Sequence, residues 1–285
     1  MKLRFMRYRK LSYWISGAAV ALSILSLVFR GMNYGIDFSG GISMEVRPVS
    51  GEYDISKMRS DLAKWKPELQ ADNKNNVLIR VGLSKSATDE QQNQVVREIK
   101  SVLGERVSYN HIQVVGPKIG SELIRGGIFA TIFAFIMMSI YIWVRYRGGY
   151  AAGSLISLML DFILMFGFFS ITGLEFSQEA IAVILTGVGY SINDKIVNYD
   201  RIMENSKKYK NMETSDVIDL SVNEMLSRTL MTSTTTMLGM ISLFIFAGAV
   251  LGEFAIAMLF CIVMGTLTSI YVSNVCLIHF NIREN

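Results

Sequence analysis

The stretch Gly187-Val-Gly-Tyr-Ser-Ile-Asn-Asp-Lys-Ile-Val-Asn-Tyr-Asp-Arg-Ile-Met-Glu-Asn205 decides how this chain is read. It continues an apolar run that opens at Ala180, then sets Asn193, Asp194 and Lys195 where hydrocarbon is still expected. A carboxylate at that depth costs ~2.5–3.5 kcal/mol on insertion scales, so it calls for a partner or a function. With Glu179 as the outer boundary, fifteen residues separate it from Asp194. At ~1.5 Å per residue that places the acid roughly 22 Å into a core about 30 Å thick. The thirteen charge-free residues Ala180–Ile192 are too few to span alone. The helix is therefore expected to run on through Asn193–Lys195.

Working outward, the 285 residues are 51% hydrophobic and 18% charged, with only three prolines. That composition calls for long uninterrupted helices in a membrane. The two cysteines, Cys261 and Cys276, share one apolar run, and His111 and His279 stand far apart. Neither a disulfide framework nor a metal site is expected. The net charge is +4, but residues 31–123 hold twelve basic and twelve acidic residues. The excess positive charge flanks the membrane segments, which argues for topology signals and against a nucleic-acid partner.

Six spans follow from the hydropathy pattern. Residues 1–10 carry five basic residues and no acid, and Leu11–Phe29 is free of charge. This run is long for a signal peptide and lacks a small-residue cleavage site, so an uncleaved first helix is expected. Further spans are expected over Ile128–Val144, Ala151–Ile171, Ala180–Asp194, Thr229–Ala247 and Ala255–Ile278. Between the fourth and fifth spans, Lys195–Ser227 reads as a polar connection. Its apolar residues Val217, Ile218, Val222, Met225 and Leu226 suit the membrane surface. Short-loop Lys and Arg concentrate at the N-terminus, the 145–149 turn and the 195–227 segment, whereas the 172–179 and 247–254 links carry only glutamates. Both termini are then cytoplasmic and residues 31–123 extracytoplasmic.

The chain divides into residues 1–30 (N-terminus and first span), 31–123 (an α+β domain) and 124–285 (spans two to six). The domain opens with Gly35-Ile-Asp-Phe-Ser-Gly-Gly41. Gly35, Asp37, Gly40 and Gly41 form a tight turn. It is no nucleotide loop, because no Lys-Ser/Thr follows and no helix is expected to open there. Strands are expected at Ile42–Arg47, Pro67–Asp72, Val77–Val81 and Tyr109–Val115, the middle two forming a hairpin across Asn73–Asn76. Helices are expected at Ser56–Trp65, with Ser56 as N-cap, and at Thr88–Leu103, with Val95, Ile99, Val102 and Leu103 on one face. The β-α-β-β-α-β order is the ferredoxin-like split pattern.

Several polar groups fall inside the spans. Arg228 begins the fifth span on the side where the fourth ends, so it can approach Asp194. A switchable Asp194–Arg228 pair suits proton transport; the alternative is that Arg228 snorkels to the interface. Thr229, Thr232, Ser233 and Thr236 form a hydroxyl stripe that lines a hydrated path or packs helices. Gly265, Ser269 and Ser273 recur every four residues and read as packing. Asp161, with Ser154 and Ser157, makes an inward polar face. An intramembrane aspartyl protease would need two carboxylates sharing a proton and a peptide-presenting motif, which Asp161 lacks. No enzyme is expected.

These motifs resemble the SecF family. GIDFSGG (35–41), VVGPKIGSEL (114–123), the 187–205 stretch, SRTLMTSTTTML (227–238) and GTLTSIYVSN (265–274) match in order along nearly the whole chain. The resemblance implies an RND-type half with six helices, inserted in the bacterial cytoplasmic (inner) membrane. It implies pairing with SecD, association with the SecYEG channel and YajC, and help to preproteins leaving that channel. The energy source would be the proton-motive force, with no cofactor. It implies a proton relay at Asp194 and Arg228, with Asn193, Asp161, Thr232 and Thr236 as supporting polar groups. The chain departs from the family at Leu160-Asp161, where His-Asp is frequent, and at Cys261, where glycine is usual. Two alternatives stay open at this point: an RND-like small-molecule or lipid exporter half, and a structural assembly subunit that conducts no protons.

Overall fold

In a computed structural model, residues 4–49, 55–71, 76–83, 88–146, 148–246 and 249–279 are described. Six long apolar helices dominate. They are α1 (Arg9–Phe29), α5 (Pro117–Arg145), α6 (Gly149–Thr172), α7 (Gln178–Lys208), α8 (Thr214–Phe246) and a last composite span. That span joins α9 (Ala249–Leu267), a π-helical turn (Thr268–Val272) and α10 (Ser273–His279). Between α1 and α5 lie a helical turn α2 (Ile36–Ser39), β1 (Gly41–Pro48), α3 (Ile55–Asp61), β2 (Glu68–Ala71), β3 (Val77–Gly82), α4 (Asp89–Leu103) and β4 (Val107–Val115). The protein is a multi-pass membrane protein with a small α+β unit inserted after the first span.

The helix through Asn193–Lys195 is continuous, as expected, but it does not stop there. At ~1.5 Å per residue, α7 and α8 reach about 45–50 Å, well beyond a hydrocarbon core of about 30 Å. Most of what the sequence suggests as a loop over 195–227 is therefore two helical arms, joined by a short link between Lys208 and Thr214. Polar groups zip the arms together. Asn205 donates to Ser221 (2.9 Å) and Glu224 (2.8 Å), and Arg201 bridges Glu224 (2.6 Å) and Glu204 (2.6 Å). Val217, Ile218 and Val222 are buried in the protein core, so this face packs inward instead of lying on the membrane surface. A 3₁₀ turn at Phe5–Tyr8 precedes α1, and its Met6 amide donates to Asp219 (2.9 Å) at the base of α8.

The strands form one antiparallel sheet in the order β2-β3-β1-β4. Alternation decides its two faces. Ile42, Met44, Val46, Val77, Ile79 and Val81 pack with Met58 and Leu62, and with Ile99 and Leu103 of α4. Thr88 caps α4 in a reciprocal capping box with Gln91. Ser56 lies within α3, not at its N-cap. The hairpin turn expected at Asn73–Asn76 falls largely outside the described residues. On the opposite face, register aligns Arg80, Ser43 and Gln113 across β3, β1 and β4. This polar row faces the membrane unit.

Small residues set how closely the spans approach. On α7, Gly187 and Ser191 lie four residues apart. They meet Cys261 and Gly265, four apart on α9. A Cβ added to Gly187 would sit 2.1 Å from Cys261 Sγ, and one added to Gly265 would sit 2.9 Å from Ser191 Cβ. This is the small-xxx-small geometry that lets membrane helices touch backbone to backbone. The buried Ser269 and Ser273 continue the contact, so the four-residue repeat is packing. Gly187→Ala is expected to destabilise the bundle by about 1–3 kcal/mol through overpacking. Adding Cys261→Gly restores the space, and thermal unfolding in detergent of the single and double variants checks both outcomes.

Candidate functional site

Helix periodicity turns adjacent residues of α7 to different sides, about 100° apart. Lys195 enters the interface between α6 and the composite span, where it pairs with Asp161. Both are almost completely enclosed: Lys195 is 1% exposed and Asp161 4%. Asp161 Oδ2 also accepts from Ser191 Oγ (2.8 Å), and Oδ1 accepts from Thr268 Oγ1 (2.6 Å). Lys195 donates a second bond to Ser191 (2.7 Å). Thr268 opens the π turn, a local widening that often marks functional sites. Ser154 and Ser157 on α6 are buried, as their spacing suggests.

Asp194 is also 4% exposed, yet among the described residues its Oδ2 has no hydrogen-bond partner. Among the described residues, the expected Asp194–Arg228 ion pair is not formed. Lys195 and, after it, Arg228 act on the acid across space, and Arg228 lies on the exposed side of α8. The buried ion pair of this bundle is Asp161–Lys195, a partner the sequence reading missed. The usable signal was a lone lysine in an apolar helix beside a span carrying a lone aspartate, since each must find a counter-charge.

The other expected site residues separate by face. Asn193 is exposed on α7. The hydroxyl stripe splits: Thr229 and Ser233 are buried, and Ser233 shares a bond with Thr266 (2.9 Å). Thr232 is exposed and bonds back to the Arg228 and Thr229 carbonyls of its own helix. Thr236 does the same with Thr232 O (2.9 Å). Asn193, Arg228 and Thr232 therefore leave polar groups on the outer surface of α7 and α8.

At the other end of α7, Gly35–Gly41 forms a junction. A short helical turn does open at Ile36, contrary to expectation: Glu175 receives the Ile36 amide and the Gly35 carbonyl receives those of Phe38 and Ser39. Asp37 Oδ2 accepts from the Gln178 amide (3.1 Å), the first residue of α7, and Oδ1 accepts from Gln113 (2.9 Å) of the sheet. A carboxylate at a helix N-terminus complements its dipole. Glu175 accepts from the Ile36 amide (3.1 Å) and pairs with Arg80, while Glu253 accepts from Gln70 (3.2 Å). Gly40 adopts φ +74°, and a Cβ on Gly41 would meet Val81 O at 2.7 Å. The glycines thus let the chain pass between the sheet and the spans.

Desolvation raises the carboxyls of both Asp37 and Glu175 above the ordinary range. The Gln178 amide opposes it at Asp37, and Arg80 opposes it at Glu175. A folded-state value above the unfolded one contributes stability that is fully present below the ordinary carboxylate range. That contribution is lost as pH rises through the raised value. The junction is expected to tighten in mild acid: exchange of the Ile36 and Gln178 amides, corrected for intrinsic rate, slows below neutral pH. Arg80→Met leaves Glu175 without its counter-charge and is expected to weaken the junction by ~2–5 kcal/mol, read as faster exchange at Ile36.

Comparison with known proteins places this architecture. A family model described as protein export membrane protein SecD/SecF, C-terminal, matches residues 94–283, and one for the SecD/SecF GG motif matches residues 25–49. The protein translocase subunit SecF of Rickettsia bellii is 40% identical over 280 residues, covering 94% of this chain and 90% of the relative. That of Rickettsia conorii is 39% identical, covering 94% and 89%. The crystal structure of SecDF, a translocon-associated membrane protein from Thermus thermophilus, is similar with a TM-score of 0.85 and 29% identity. The match covers 99% of this chain and 39% of that one. A super-membrane-facing form of SecDF gives 0.70 at 30% identity.

Proposed function

Because the chain belongs to the SecD/SecF family of protein-export membrane proteins, we propose that it is a SecF-type translocase subunit in which Asp194 carries protons. The carrying observation is the acid itself. It is buried within a span and its Oδ2 lacks a hydrogen-bond partner, whereas Asp161 is fully engaged. A carboxylate held in that state gains from taking up a proton and, when ionised, attracts a mobile cation.

The exposed polar row of Asn193, Arg228 and Thr232 supports a partner on the same face. Such groups are expensive against lipid, and helices of a second subunit would cover them. SecD is the partner that fits, as the larger half of a twelve-helix assembly. In it, Arg228 would answer Asp194 or an acid on the other half, with Asn193, Thr232 and Thr236 lining the seam. Basic residues at the N-terminus and on the arm at Lys207 and Lys208 favour a cytoplasmic location for both termini in a bacterial inner membrane. Residues 31–123 then form a ferredoxin-like domain outside the cytoplasm. The sheet order and the two helices on one face support that reading. The junction at Asp37 ties this domain to the start of the helix that carries Asp194. Proton uptake that shifts α7 would move the domain, and so assist preproteins leaving the SecYEG channel, with YajC alongside.

The test is Asp194→Asn in vesicles containing SecD and SecYEG. Proton-dependent export is expected to fall to the level without a gradient, with co-purification of the two halves unchanged. Wild-type export would sink the proton role and leave a structural assembly subunit.

A further inference from the structure

The bundle buries two carboxylates, and its geometry treats them differently. Asp161 offers two oxygens and both are occupied: Oδ1 by Thr268, Oδ2 by Ser191 and Lys195. Lys195 lies one residue from Asp194, yet its ammonium is directed away from it, onto Asp161 and Ser191. The groups facing the pair are Ser191 from α7, Cys261 from α9 and Thr268 from the π turn. None of these carries charge as a neutral hydroxyl or thiol. The small-residue crossing of α7 and α9 seals the pair from above, because Ser191 packs on Gly265.

We propose that Lys195 is a built-in counter-ion that holds Asp161 ionised and out of proton traffic, so that of the two acids buried within the described spans only Asp194 titrates. Lys195 is a positioning residue here: it fixes α7 against α6 and leaves Asp194 alone to change charge. A proton on Asp161 would have to displace a charge-assisted bond to Lys195 and a hydroxyl donor in an enclosed site. A proton on Asp194 displaces no bond at Oδ2. With Asp161 and Lys195 cancelling, uptake at Asp194 changes the net charge of the buried set by one unit. That charge is what the exposed Arg228 side can respond to. The proposal rests on the proton role of Asp194, and its test separates the two.

The experiment compares three forms of the full complex with SecD and SecYEG in vesicles: wild type, Asp194→Asn, and the paired Asp161→Asn with Lys195→Met. Removing both charges of a buried pair is often neutral, so the paired variant is expected to keep proton-dependent export within about twofold of wild type. Asp194→Asn is expected to lose it. A paired variant that assembles with SecD but loses proton dependence would overturn the proposal and place Asp161 in the relay. Normal export by Asp194→Asn would overturn the earlier reading instead. A second measurement does not depend on assembly of the paired variant. Because Asp37 is also buried, infrared pH-difference spectra with carboxyl-labelled aspartate are recorded in an Asp37→Asn background, where one buried carboxyl is expected to titrate with Asp194 present and none with Asp194→Asn. A second buried carboxyl that still titrates in Asp194→Asn would overturn the counter-ion role. Lys195→Met alone is expected to create such a signal at Asp161, and its absence would likewise count against the role.

Discussion

The structure depends on how closely α7 can approach its neighbours. A lysine ammonium reaches a carboxylate on another helix inside a membrane only if nothing bulky stands between the backbones. Gly187 against Cys261 and Ser191 against Gly265 bring α7 and α9 together beside that pair, where Thr268 can also reach Asp161. The hydrophobic effect gives no help in bringing helices together within lipid, so close packing and polar bonds must hold them. Asp161, Ser191, Lys195 and Thr268 supply those bonds at the level of the Ser191–Gly265 contact. Tyr199 adds another where its hydroxyl donates to the Ser273 carbonyl (2.8 Å) beside Gly153.

That clamp gives α7 two distinct ends. Near its middle, a satisfied ion pair and an unsatisfied acid sit on consecutive residues. At its start, Asp37 receives the first amide and ties the helix to the sheet through Gln113. A rigid helix of this length carries a small displacement from one end to the other, because its backbone bonds are internal. The arms beyond the membrane lengthen the same lever. Arg201, Asn205 and Glu224 hold α7 to α8, and Arg145 and Tyr146 of α5 both reach Asp200. Under the proposed function, proton chemistry in the span and motion of the inserted domain share one element without any long-range pathway of side chains.

The sequence made much of this legible because membrane spans are decided locally. Any run of about twenty apolar residues must satisfy its backbone within itself, so six helices follow from composition. Alternation along Ile42–Arg47 likewise marked β1 as a strand, since a strand has only two faces. The acid at Asp194 was legible for the same reason, as a charge where the solvent forbids one. The arms over 195–227 were not legible as helix. Polarity there matches a loop, and only the mutual packing of α7 and α8 buries Val217, Ile218 and Val222. The short turn at Ile36 was hidden too, because its Ile36 amide is received by Glu175 and its Asp37 receives the Gln178 amide, both partners far along the chain.

Sequence by itself therefore determined the spans, the inserted domain and the presence of charges that need partners. Tertiary structure alone decided which charges meet. Asp194 and Arg228 sit on helices joined in sequence, which made them natural partners, yet Arg228 leaves α8 on the outer side. Lys195 finds Asp161 instead, because one residue along a helix turns a side chain to another neighbour. Depth in a membrane is a property of one segment and can be counted from its residues. Pairing is a property of how several segments rotate against one another, and packing sets that rotation.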